Sequence, residues 1–199
     1  MNIFWFRRDL RIEDNVGLFH ALNSGENVLP VFIFDSEILS QLPKDDARVS
    51  FIHEQLEKIQ LELNTIGKSL AVFHGNPIEI FTQLITENTI TSVYTNHDYE
   101  PYARRRDKEM NQLFVDKGIT FLTSKDQVIF EKSEVVKDDG TPYVVFTPFS
   151  KKWKENFKKI KLVHYNSEEK LDKVAKHSYP FLSLTDIGFE KSNIKVSAF

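Results

Sequence analysis

The feature that most constrains the fold is a regular alternation of short apolar runs with longer segments of helical periodicity. Five apolar runs suited to buried strands recur at a spacing of roughly 30 residues. They cover residues 3–6, 28–34, 70–73, 92–95 and 119–122. Strand–helix–strand units join parallel strands through crossover helices. The order therefore predicts an α/β fold of three layers, with a five-stranded parallel sheet between two layers of helices.

Helical patterns fill the intervals between the apolar runs. The clearest covers residues 45–66, where apolar side chains recur three to five positions apart and Gly67 follows. Asp14 is predicted to cap the first helix, because Asp is favoured just before an apolar-periodic segment. Further helices are predicted from Pro77 onward and over residues 102–114.

The alternation ends after the fifth apolar run. Residues 138–140, Asp-Asp-Gly, predict a turn between two short apolar pieces, and a lysine-rich helix is predicted from Thr147. Trp153 and Phe157 lie four positions apart in that helix and are expected to pack inward. Lysines interleaved with aromatic residues also occur in nucleic-acid-binding surfaces, but a helix with one apolar face is the favoured interpretation.

The helical and strand periodicity fades beyond residue 163. The remaining residues are rich in Ser, Lys, Asp and Glu, with scattered apolar groups. We therefore predict one α/β domain over residues 1–163 and the start of an interdomain linker over residues 164–199.

Composition excludes several classes of protein. The net charge of −3 excludes a chain that is basic overall, so any contact with DNA must use local patches. The chain has no cysteine, and its six histidines lack metal-ligand spacing, so no metal site is predicted. It also lacks a signal peptide and any apolar run near the roughly 20 residues of a membrane helix. We therefore expect a cytoplasmic protein without membrane contact.

Unusual polar residues follow three of the predicted strands. Arg7 and Arg8 follow the first, Asp35 ends the second, and Asp98 and Glu100 follow the fourth. Ligands of open parallel sheets bind at the carboxyl ends of the strands, so these residues mark a candidate pocket. The two carboxylates are suited either to acid–base chemistry or to a loop that caps the next helix. Glycine-rich phosphate loops and nucleophile-elbow motifs are absent, and no catalytic residue is assigned.

Four segments resemble the N-terminal domain of the DNA photolyase/cryptochrome family, in the order found in that family. They are WFRRDLRIEDN, ARVSFIHEQLEKIQLELNTIGKSLAVFHGNP, NHDYEPYARRRD and DDGTPYVVFTPFSKKW. Together they span residue 3 to about residue 160. The resemblance implies a Rossmann-like α/β domain, the first half of a two-domain protein. The second, helical domain of the family binds FAD and damaged DNA, and nothing in this sequence resembles it.

The resemblance implies the light-harvesting domain of a deoxyribodipyrimidine photolyase, a carbon–carbon lyase that repairs UV-induced pyrimidine dimers with blue light. This chain alone is then expected to be catalytically inactive. One alternative is the same domain of a cryptochrome, a blue-light photoreceptor. Another is a stand-alone α/β module that binds a nucleotide or flavin, which would need a cluster of phosphate-binding glycines that the sequence lacks.

The family's first domain carries an antenna chromophore: methenyltetrahydrofolate, a deazaflavin or a flavin such as FMN. The folate type uses an Asn-Glu pair, where this sequence has Tyr102 and Ala103. The resemblance therefore favours a deazaflavin or FMN-like chromophore. Apolar walls and a few polar groups suit such a planar ring. The implied binding residues are Arg8, Phe34, Asp35, Ile38, Arg48, Phe51, Ile52, Asp98, Glu100 and Arg106.

Two further expectations follow from the resemblance. The partners implied are the protein's own C-terminal FAD domain and, through the full-length protein, damaged DNA. Without its FAD domain the chain is expected to expose an apolar surface and to self-associate. An internal ion pair between Asp98 and Arg106, with no chromophore bound, is an alternative use of the pocket residues.

Overall fold

A computed structural model describes residues 1–194. Five parallel strands form one sheet in the order β3-β2-β1-β4-β5. The strands are β1 (Asn2–Phe6), β2 (Val28–Asp35), β3 (Ala71–Gly75), β4 (Ser92–Asn96) and β5 (Thr120–Ser124). The predicted fold class is confirmed, and every predicted apolar run contributes to a strand.

Helices cover both faces of the sheet. They are α1 (Val16–Leu22), α2 (Ser36–Leu39), α3 (Ala47–Asn64), α4 (Pro77–Glu87), α5 (Pro101–Asp116) and α6 (Phe146–Phe157), with 3₁₀ turns at Lys132–Glu134 and Ser167–Lys173. Successive residues of β1 point to opposite faces, so Phe4 and Phe6 pack with α1 and α3, while Ile3 and Trp5 pack with α4 and α5. Within residues 1–194, no helix is both long and apolar enough to cross a membrane.

The predicted cap of the first helix is wrong by one residue. Helix α1 begins at Val16, and the side chain of Asn15 accepts a hydrogen bond from the Leu18 amide at 3.1 Å. Asp14 instead adopts a positive φ of 50° and accepts a hydrogen bond from the Tyr165 amide at 2.8 Å. Asn15 takes the cap because its amide group also donates to Asp9, which anchors it in a buried polar network.

The segment after residue 163 packs against the α/β domain. Val174, Ala175, Ile187 and Phe189 are buried, and Val174 forms a parallel bridge with Val28. The Ala175 amide donates to the Val28 carbonyl at 2.7 Å. This segment therefore completes the core on the face that carries α1 and α3. Its role as the start of an interdomain linker stays a prediction, and its last five positions, 195–199, lie outside the described residues.

Helix α6 lies at the surface. Trp153 stacks on Phe157 with ring centroids 5.1 Å apart, and its edge meets Phe130 at 5.5 Å. The expected inward packing is only partial, because these rings stay half-buried and the helix carries no buried residue. Val144, two residues before the helix, and Phe146, its first residue, expose most of their side chains.

Candidate functional site

A pocket opens where the strand order reverses. The chain leaves the central strand β1 toward β2 and β3 on one side, and β4 and β5 lie on the other. At the carboxyl ends of β1, β2 and β4 lies a pocket of about 780 Å³, a volume suited to a small organic ligand.

Nine of the ten residues predicted from the sequence line this pocket. The charged ones are Arg8, Asp35, Arg48, Asp98, Glu100 and Arg106, and the apolar ones are Phe34, Ile38 and Ile52. Phe51 does not line it: this side chain lies on α3 and is 43% exposed. The helical turn directs Ile52 toward the pocket and its neighbour away, because adjacent helical residues face different directions.

Several polar residues after β1 hold the strand-to-helix loop. The buried Arg7 guanidinium donates to Asp107 and to the carbonyl oxygen of Asn96, which joins β1 to β4 and α5. Asp9 is also buried and accepts a hydrogen bond from the Arg7 amide at 3.0 Å. Arg11 pairs with Asp126 at 2.8 Å. These contacts fix the edge of the pocket that Arg8 extends.

Tyr102 is a lining residue that the site prediction missed. Its hydroxyl donates to Asp35 Oδ2 at 2.5 Å, while Asp35 Oδ1 accepts from the Glu37 amide at 3.0 Å and so caps α2. Burial, reinforced by the hydrogen bond to Asp35, raises the pKa of the Tyr102 hydroxyl. The sequence signal was its place in the first turn of a helix that follows a strand end.

Arg106 places a buried cation in the pocket. The residue is 8% exposed, its Nη1 lies 3.8 Å from Asp35 Oδ2, and its Nη2 lies 3.5 Å from Asp107 Oδ1. Burial and the neighbouring Arg7 guanidinium lower its pKa. Among the described residues, its Nε and Nη2 have no hydrogen-bond partner. Buried donors are nearly always satisfied, so the Arg106 guanidinium is short of hydrogen-bond acceptors in this arrangement.

The pocket rim carries a second charged group. Arg8 Nη1 lies 3.5 Å from both Asp98 Oδ1 and Glu100 Oε1, so the two carboxylates meet on one side as their spacing predicted. Asp98 also accepts the Glu100 amide at 3.3 Å, just before α5 begins. In this arrangement Asp98 pairs with Arg8, and Arg106 pairs with Asp35 and Asp107.

Arg48 is held by a neighbour at the pocket mouth. Its Nε lies 3.0 Å from Asp46 Oδ1 and its Nη2 lies 2.7 Å from Asp46 Oδ2. The hydrogen bond from Arg48 lowers the pKa of the Asp46 carboxyl to about 2. Asp46 also caps α3 through the Arg48 amide at 2.8 Å. The guanidinium is therefore positioned at the rim before any ligand arrives.

A doubly wound parallel sheet with an apolar, arginine-lined pocket at its switch point defines the class of Rossmann-like ligand-binding domains. Within that class, a family model described as DNA photolyase matches residues 2–170. The chain belongs to the DNA photolyase family.

Individual relatives agree with this assignment. The chain is 31% identical over 192 residues to an uncharacterized 31.6 kDa protein from Synechococcus sp. strain PCC 6716, covering 96% of this chain and 68% of the relative. It is 32% identical over 151 residues to the deoxyribodipyrimidine photo-lyase of Synechococcus sp. strain PCC 6301, covering 76% of this chain and 31% of that protein. Proteins named cryptochromes are also among the relatives.

A solved structure shows the same fold. An archaeal photolyase from Sulfolobus tokodaii, described with two FAD molecules and the implication of a novel light-harvesting cofactor, superposes with a TM-score of 0.69 at 29% identity. The match covers 91% of this chain and 43% of that protein. The chain thus spans less than half of the named photolyases that it matches.

Proposed function

We propose that this chain is the light-harvesting domain of a deoxyribodipyrimidine photolyase, and that its strand-end pocket binds a deazaflavin or FMN-like chromophore. The observation that carries the proposal is the pocket of about 780 Å³, which combines apolar walls with a buried cation, Arg106. Family membership and the names of the relatives support the same function.

The pocket fits a planar, polar-edged ring. Phe34, Ile38 and Ile52 provide apolar walls for the ring faces. The positive charge of Arg106 suits ring carbonyls or an anionic tail, and the carboxylates at the rim suit ring or ribityl donors. When bound, the chromophore would absorb light and pass the excitation to FAD in the helical domain.

Two features favour a flavin-type ring over methenyltetrahydrofolate. Tyr102 and Ala103 line the pocket where the folate type carries its Asn-Glu pair, and the Tyr102 hydroxyl is already bonded to Asp35. The Sulfolobus tokodaii relative is described with two FAD molecules and the implication of a novel light-harvesting cofactor, which supports a flavin as the chromophore here.

Chromophore titration tests the pocket assignment. FMN, a 5-deazaflavin and methenyltetrahydrofolate are each titrated into the purified chain, and binding is followed by fluorescence anisotropy. Ile38→Glu places a charge on the apolar wall and should weaken FMN or deazaflavin binding about tenfold or more. Leu61→Glu is the matched control, because Leu61 is an exposed apolar residue on α3 outside the pocket lining. Tight folate binding without flavin binding would contradict the assignment.

The activity of the whole protein is part of the proposal. The domain would act with its own FAD-binding helical domain on damaged DNA, and this chain alone would not reverse pyrimidine dimers. Blue-light repair of dimers by the purified chain would overturn this division of labour. A cryptochrome is the second candidate, favoured by the cryptochromes among the relatives. Repair activity in a protein that carries both domains would identify a photolyase, and its absence would favour a cryptochrome.

Self-association of the isolated chain follows from its exposed apolar surface. Val144 and Phe146 are among the most exposed large apolar side chains, next to the half-buried rings of α6. Such surfaces drive association when no partner covers them. Sedimentation of the wild-type chain should show concentration-dependent dimers, and Phe146→Ser should reduce them. A monomer at all concentrations would contradict this expectation.

A further inference from the structure

Trp5 lies beside the pocket and under two cations. The residue is buried near the carboxyl end of β1 and also lines the pocket. The Cζ atom of Arg106 is 4.8 Å from the centroid of its ring, and the Cζ atom of Arg7 is 5.3 Å away. Both guanidiniums are themselves almost fully buried. These distances lie within the range of cation–π attraction.

The two guanidiniums make Trp5 harder to oxidise. Cation–π attraction stabilises the neutral indole, whereas loss of one electron makes the indole itself a cation. The attraction then becomes repulsion between like charges, which is strong because the groups are buried and poorly screened. Asp107 and Asp35 pair with the two guanidiniums and hold them in place. The charged groups that pack on the Trp5 ring are the guanidiniums of Arg7 and Arg106.

We propose that Arg106, together with Arg7, prevents Trp5 from quenching an excited chromophore in this pocket. This inference rests on the proposed function. An excited flavin or deazaflavin is a strong one-electron oxidant. A nearby indole can transfer one electron to it, which leaves the indole as a radical cation, reduces the ring by one electron and loses the excitation. A less oxidisable Trp5 preserves that excitation.

A second electron donor lies close to the same arginine. The Tyr102 ring centroid is 5.7 Å from the Arg106 Cζ atom, and the Tyr102 hydroxyl has a proton acceptor in Asp35. An electron could leave Tyr102 while its proton moves to Asp35. The test must therefore separate the two aromatic donors.

The test is the fluorescence lifetime of FMN bound to the whole chain. Bound FMN is distinguished from free FMN by its slower anisotropy decay. Arg106→Gln removes the charge and should shorten the lifetime about twofold or more, because the loss of a buried cation eases oxidation of the indole. Arg106→Lys keeps a cation and should stay near the wild-type lifetime. The double variant Trp5→Phe with Arg106→Gln should restore the long lifetime, since it lacks the donor.

A second measurement needs no chromophore. Trp153→Phe leaves Trp5 as the single tryptophan of the chain. Voltammetry of this protein should show oxidation of Trp5 at a higher potential than in the same protein with Arg106→Gln. Circular dichroism confirms that each variant is folded.

The remaining outcomes contradict the inference in distinguishable ways. An unchanged lifetime in Arg106→Gln, or an unchanged Trp5 potential, overturns it while FMN binding still supports the proposed function. A shortened lifetime that only Tyr102→Phe restores assigns the donor to Tyr102 and also overturns it. Failure of the wild-type chain to bind any flavin overturns the proposed function and this inference together.

Discussion

The Tyr102 hydroxyl and Asp35 Oδ2 lie 2.5 Å apart and join the two sides of the pocket. Tyr102 belongs to the first turn of α5, which follows β4, whereas Asp35 ends β2 on the other side of β1. Asp35 also caps α2. One hydrogen bond thus connects two helices that start at opposite sides of the switch point.

Tyr102→Phe should lower the free energy of unfolding by about 1 kcal/mol at neutral pH, because a hydrogen bond to a carboxylate is lost. The raised pKa of Tyr102 gives this contribution a pH dependence. It is fully present below the ordinary pKa of 10.0 and is lost as the pH rises toward the higher folded value. Urea denaturation should therefore show the stability difference between wild type and Tyr102→Phe shrinking as the pH rises above 10.0. Tyr165→Phe is the control, because it also removes one tyrosine. Below pH 10.0 it should have a higher free energy of unfolding than Tyr102→Phe.

Asp46→Ala should remove the cap of α3 and cost about 1 kcal/mol at neutral pH. Arg48 lowers the Asp46 pKa from 3.8 to about 2, so the Asp46 contribution is present above the unfolded pKa and is lost as the pH falls through the folded one. The stability difference from wild type should shrink over that acidic interval in urea titrations. Asp45→Ala, one residue before the cap, is the control. A difference that stays constant down to the lowest pH would contradict the assigned ion pair.

Gly17→Ala should destabilise the fold by about 2 kcal/mol, because overpacking a tight site strains the neighbours. A Cβ atom at Gly17 would lie 2.6 Å from Asn96 Oδ1 and 2.8 Å from Phe4 Cε2. The Asn96 oxygen accepts the Gly17 amide at 2.9 Å and so joins α1 to β4. Thermal unfolding measures the loss. Gly25→Ala is the comparison: its Cβ would meet nothing within 4 Å, and only its positive φ of 91° adds strain.

Val174→Asp should cost about 3 kcal/mol or more, because it buries an unpaired carboxylate in the core. Val174 is 1% exposed and pairs with Val28. Val163→Asp makes the same chemical change at a residue that is 61% exposed and should be nearly neutral. Chemical denaturation of both variants decides whether the segment after residue 163 belongs to the cooperative unit. Equal stability of the two variants would show that it does not.

Much of the fold follows from local pattern. Each apolar run with its following helical period specifies a strand and a crossover helix, and the parallel order then places Arg8, Asp35 and Asp98 at one edge. The helix cap was misplaced because Asp14 and Asn15 are both good caps in isolation. Only the buried partner Asp9 distinguishes them. The segment at Val174 lacked periodicity because it packs as irregular backbone with one isolated bridge to Val28, and a few scattered apolar residues suffice for that.

The sequence by itself determined the order of strands and helices, the family, and the edge of the sheet where polar side chains gather, because periodicity and strand ends are local properties of the chain. Only the tertiary structure decided which of those side chains meet. The bond between Tyr102 and Asp35 and the contact of Arg106 with Trp5 join segments far apart in the chain. Their distances depend on strand order and helix packing, which no local pattern encodes.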